Sequence, residues 1–107
     1  MNYAAALPHL HEVRSLDTTD AACLADVRAV LARHGKDERF GVNLLHRHFA
    51  IGEDERLVEV IDEESRTLTA RPMKADELPG AMPSAWQLTE DGPHAVFWCY
   101  DRLGPHA

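Results

Sequence analysis

The chain reads as an α+β domain, with one N-terminal helix followed by a mostly antiparallel meander sheet of about five strands. Three observations predict this. Apolar residues keep a helical spacing in one stretch only, Thr18 to His34. After Gly35 the helical period is lost, and short apolar runs rich in β-formers alternate with turn signals. The chain has 107 residues, enough for one hydrophobic core and too few for two, so residues 1–107 form a single globular domain.

The elements follow in order. Residues 1–16 hold no clean period, and Pro8 interrupts what there is, so they read as an ordered arm. In the helix, Thr18 or Thr19 is the expected N-cap and Asp20 sits where the helix dipole favours a carboxylate. Cys23, Leu24, Val27, Val30, Leu31 and His34 make one apolar stripe, and Gly35 is the expected left-handed stop. The stretch Phe40 to Ile51 reads as a long strand, and Gly52 to Glu55 as a tight hairpin loop leading into a return strand from Arg56 to Asp62. A turn at Glu63–Ser65 precedes a strand from Arg66 to Arg71. Pro72 to Pro83 reads as a loop. Strands at Ala85–Thr89 and His94–Leu103 follow, separated by Glu90–Pro93. The helix stripe is expected to lie across one sheet face. Apolar residues on both sides of the last strand predict a central position or a curved half-barrel.

Composition narrows the function. The formal net charge is -7, which argues against nucleic-acid backbones. No apolar run approaches the ~18 residues of a membrane span, and the first residues do not resemble a signal peptide, so a cytoplasmic protein with no membrane association is expected. Cys23 and Cys99 are expected as free thiols acting as small core hydrophobes. The serines lack a nucleophile-elbow context, the glycines form no phosphate loop, and His94 and Cys99 fall on opposite faces of one strand. Seven acids crowd residues 53–64 without EF-hand spacing, which reads as a solvated rim or a docking surface for a basic protein partner. Trp86 and Trp98 are expected to meet in the core if the last two strands pair.

The surplus of chemistry lies in the seven histidines, four of them in two His-x-His pairs. His46 and His48 share one strand face. If Ile51 pairs with Arg56, His48 faces Glu59 and His46 faces Ile61. Two imidazoles and a carboxylate are a donor set for zinc, iron or manganese. A one-residue slip destroys the arrangement, and a plain hydrogen bond from His48 to Glu59 is the alternative. Glu53, His94 and the pair His9 and His11 are further candidate ligands, whereas His106 reads as tail.

The residues Gly41, His46, His48 and Glu53 resemble the first metal motif of the cupins, which implies a small β-barrel binding iron, manganese or zinc. The glycine lies one residue closer than in that motif, and the second cupin motif has no counterpart beyond Gly92-Pro93-His94. The stretch Arg39 to Phe49, with Leu57-Val58-Glu59, is similar to a group of small bacterial and fungal proteins with which no activity is associated. The expected function is a non-catalytic interaction or ligand-binding module, with a homodimer or a basic protein as partner. The alternative is a small metal-binding protein or enzyme built on His46, His48 and Glu59. A third class is a binder of a small apolar or aromatic ligand in a pocket between helix and sheet.

Overall fold

The structure, a computed structural model, describes residues 2–77 and 80–100. Helix α1 spans Thr18–Arg33. Four strands follow: β1 (Glu55–Asp62), β2 (Thr67–Lys74), β3 (Met82–Thr89) and β4 (Gly92–Tyr100). They form one sheet in the order β2-β1-β4-β3. The α+β class therefore stands, but the meander of about five strands does not. Two antiparallel hairpins, β1–β2 and β3–β4, are joined through a parallel pair of β1 and β4.

Local chemistry explains the helix. Its N-cap is Asp17, one residue before the expected threonines. One Asp17 carboxylate oxygen accepts from the backbone N–H groups of Thr19 and Asp20 at 2.9 and 3.0 Å, and the Asp20 carboxylate accepts from Asp17 N–H at 3.0 Å. This reciprocal box satisfies donors that a helix start otherwise leaves free. Arg14 clamps the box, donating to Asp17 at 2.8 Å and to Asp20 at 2.7 and 3.1 Å. At the other end Gly35 takes φ +68°, and Lys36 N–H closes the last turn on the Leu31 carbonyl at 2.7 Å.

The helix does not lie across the sheet. None of its residues is fully buried, although Leu24, Val27 and Leu31 are half-buried, and its backbone approaches no strand closely. Cys23 is exposed, not a core residue.

The β1–β2 turn is held by Asp62, whose carboxylate accepts from the N–H groups of Glu64 and Ser65 at 3.1 and 3.3 Å. The β3–β4 turn is tighter, with Gly92 at φ +115°, a value closed to side chains with a Cβ. The expected loop from Pro72 to Pro83 shrinks at both ends, because β2 runs on to Lys74 and β3 begins at Met82. Both prolines fall inside strands, which the topology permits. β2 and β3 are the outer strands, where a missing N–H leaves no ladder bond unmade. A bulge between Pro83 and Trp86 adjusts the register. β4 takes the central place its two apolar sides predict; residues 101–103 of the expected last strand, and His106, lie outside the described residues.

Phe40 to Ile51 is not a strand. Its backbone pairs with the arm instead, where Leu10 N–H donates to Arg47 O and Arg47 N–H to Pro8 O, both at 2.9 Å. The Arg47 guanidinium also donates to Leu7 O at 2.8 Å. The arm supplies the core as well. Ala4 and Leu7 are buried together with Ile51, Leu57, Val96 and Phe97. One small cluster thus joins residues 4–7, the run-in to β1, and the middle of β4.

Candidate functional site

Glu59 does not face the histidines. Its partners across the sheet are Ala70 on β2 and Cys99 on β4, so the Ile51–Arg56 register does not form. The Cys99 thiol stands 3.6 Å from the Glu59 carboxylate and 3.3 Å from the Ser84 hydroxyl. His46 and His48 do come together, with ring centroids 4.9 Å apart, edge to face. The Nδ1 of His46 lies 2.5 Å from the Leu44 carbonyl, which holds that nitrogen as the protonated one and leaves Nε2 as the acceptor. His9 bridges Arg47, and its ring packs on His11 at 4.1 Å. The two His-x-His pairs therefore sit in adjoining backbone segments. Even so, no three His, Cys, Asp or Glu side chains among the described residues converge to hold a metal ion. The cupin motif's donor set is not assembled: two imidazoles are present and the carboxylate is elsewhere.

A second arrangement is more complete. A cleft of about 500 Å³ opens between the arm and the end of the sheet where β1 and β4 begin. Its aromatic wall is Tyr3, His94 and Trp98, and its rim is the acidic turn Glu53, Asp54 and Glu55. Each part has a local cause. Asn2 pins the arm by donating its side-chain amide to the carbonyls of Gly52, Glu53 and Glu55 at 3.0, 3.2 and 2.7 Å. The same side chain's oxygen accepts from Ala4 N–H at 3.1 Å and caps the turn that follows. Tyr3 is thereby set flat against His94, with ring centroids 4.1 Å apart and planes within 17°.

The rim keeps its shape through its own hydrogen bonds. A Glu55 carboxylate oxygen accepts from Gly52 N–H at 2.7 Å, and Glu53 accepts from Asn2 N–H at 3.1 Å. Asp54 pairs with Lys74, which holds the Asp54 carboxyl below the usual carboxylate range and raises the lysine. Arg56 lies over the Trp98 ring at 4.9 Å. Three carboxylates and one guanidinium therefore line the cleft.

His94 carries the one irregularity. Its Nε2 is inaccessible to solvent and has no hydrogen-bond partner among the described residues.

Sequence reasoning placed His94 and Glu53 among possible metal ligands, and the structure puts both at this cleft instead. It passed over Asn2, Tyr3 and Arg56. Asn2 and Tyr3 sit in an aperiodic stretch, and only the fold brings that stretch back onto residues 52–55. The two tryptophans do not meet: Trp98 stacks under Arg56, while Trp86 meets Phe40 edge to face at 6.3 Å. Searches against family models, curated proteins and solved structures found no match to this chain.

Proposed function

We propose that the protein is a non-catalytic binding module that takes a small cationic ligand, an amine attached to a flat apolar group, in the cleft beneath its N-terminal arm. The observation that carries this reading is the pairing of an aromatic wall with an acidic rim around an open cleft of about 500 Å³. One face of Tyr3 is taken by His94 and one of Trp98 by Arg56, so the flat part would stack on the remaining faces, where the rings attract its cation. Glu53 and Glu55 line the cleft and, among the described residues, bond no side-chain cation, so an entering ammonium finds charge to neutralise.

Benzylamine is the direct probe, with benzoate as its anionic counterpart. In an NMR titration, benzylamine is expected to saturate the protein and to shift the signals of Tyr3, His94 and Trp98. Trp98→Ala and Glu53→Gln are each expected to weaken it about fivefold, close to the ~1 kcal/mol of one exposed cation–π contact. Equal binding of benzoate, or benzylamine shifts scattered away from these residues, would refute the reading.

One observation favours the alternative of a metal-binding protein. The His46 Nδ1 contact with Leu44 O leaves Nε2 as the lone-pair nitrogen of a ring packed edge to face on His48. Zinc, iron or manganese would then be held by those two imidazoles, with other positions filled by solvent.

A further inference from the structure

The cleft holds charges of both signs that do not cancel one another. Among the described residues, ion pairs join Arg14 to Asp17 and Asp20, and Lys74 to Asp54. Glu53, Glu55 and Arg56 line the cleft and belong to none of them. Each is tied elsewhere. Glu53 accepts from Asn2 N–H at 3.1 Å, and Glu55 from Gly52 N–H at 2.7 Å. Glu55 and Arg56 are consecutive residues of β1, so alternation sends their side chains to opposite sides of the strand. Register then settles where Arg56 goes. Val58 pairs with Trp98 across β1 and β4, and Arg56 lies two positions earlier on the same face. Arg56 is half-buried, and its guanidinium rests over the Trp98 ring at 4.9 Å.

A guanidinium set over a ring uses its flat side there. Its N–H donors lie in the plane of the group, in a fork that matches a carboxylate. Among the described residues no carboxylate meets that fork. A ligand with an ammonium alone would answer the two glutamates and leave a like charge unpaired beside it. A ligand with both charges answers both. We infer, on the strength of the amine-binding reading above, that the ligand is an aromatic α-amino acid. Its ammonium lies at Glu53 and Glu55, its carboxylate at the Arg56 fork, and its ring on the aromatic wall of Tyr3 and Trp98. Arg56 is then the residue that selects among aromatic amines, favouring those that also carry a carboxylate.

L-phenylalanine and L-phenylalaninol test this, because they share the ring and the ammonium and differ only in the carboxylate, which the alcohol replaces with a neutral hydroxymethyl group. NMR titration of the full chain with each gives two affinities. Phenylalanine is expected to bind about fivefold more tightly, the upper end for one exposed ion pair. Arg56→Gln is expected to erase that difference, and Arg56→Lys, which keeps the charge without the fork, to retain part of it. In the parent chain the Arg56 Nε–H signal is expected to shift with phenylalanine and not with the alcohol. That measurement needs no variant, so it decides the matter even if Arg56→Gln does not fold. Equal affinities overturn the inference. So does a preference that Arg56→Gln leaves intact, or an Arg56 signal that phenylalanine does not move. If the alcohol binds at the cleft and phenylalanine binds no better, the amine reading survives and the amino acid is ruled out. If neither binds, both fall.

Discussion

Leu7 and Leu10 stand three residues apart in the same arm and differ in one respect. Leu7 is 5% exposed within the core cluster, and Leu10 is 44% exposed. If the arm is part of the core, truncation must separate them. Leu7→Ala removes apolar groups from a site walled by Ala4, Ile51, Leu57, Val96 and Phe97. Buried Leu→Ala substitutions cost about 2–5 kcal/mol, and the described core has only seven buried hydrophobic residues to share the load. Against a total stability of about 5–15 kcal/mol for a small domain, that is a large fraction. Leu10→Ala is expected to stay within about 0.5 kcal/mol of the parent chain. Urea unfolding, followed by tryptophan fluorescence at one protein concentration, measures both. With a slope of about 1.5 kcal/mol per molar, Leu7→Ala lowers the midpoint by about 1 M or more and leaves the slope unchanged. A Leu7→Ala midpoint that matches Leu10→Ala would refute the claim that residues 4–7 belong to the core. The role of the arm in forming the cleft would fall with it.

Two further outcomes follow from the site and the helix cap. The hydrogen bond from Arg14, and then that from Asp17 N–H, hold Asp20 down at about 2 from its ordinary 3.8. A carboxyl with a lowered folded-state pKa stabilises fully above its unfolded value and loses that contribution as pH falls through the folded one. Helix α1 should therefore lose circular-dichroism signal between about pH 4 and pH 2, and Asp20→Asn should remove that step; an identical step in the variant would contradict the cap. For the histidine pair, zinc titration is expected to give saturable binding that His46→Ala or His48→Ala abolishes and Glu59→Gln leaves intact, since Glu59 belongs to the row with Ala70 and Cys99. An equal loss on Glu59→Gln would restore the hairpin register that this structure replaces.

What could be read in advance was local. The helix from Thr18 to its glycine stop, the β1–β2 turn and the two-sided apolar character of β4 each depend on residues within a few positions of one another. Capping, backbone permissiveness and period act at that range. The site was legible only in fragments. His94 and Glu53 stood out as residues with chemistry, but neither spacing nor composition brings Asn2 and Tyr3 to residues 52–55.

Phe40 to Ile51 shows why. The segment has the composition of a strand, yet the hairpin it was expected to form needs an edge of β1 to pair with. β1 has two edges, and β2 and β4 occupy both. Arg47 instead pairs with the arm, His46 and His48 stay beside each other without Glu59, and the acidic turn is left to form a rim with Tyr3 and His94. The amino-acid sequence alone determined which segments take helix or turn conformations and where the histidines and acids lie along the chain. The choice of strand partners, and with it which of those groups share a site, belonged to tertiary structure, because it is a competition between distant segments for a limited number of hydrogen-bonding edges.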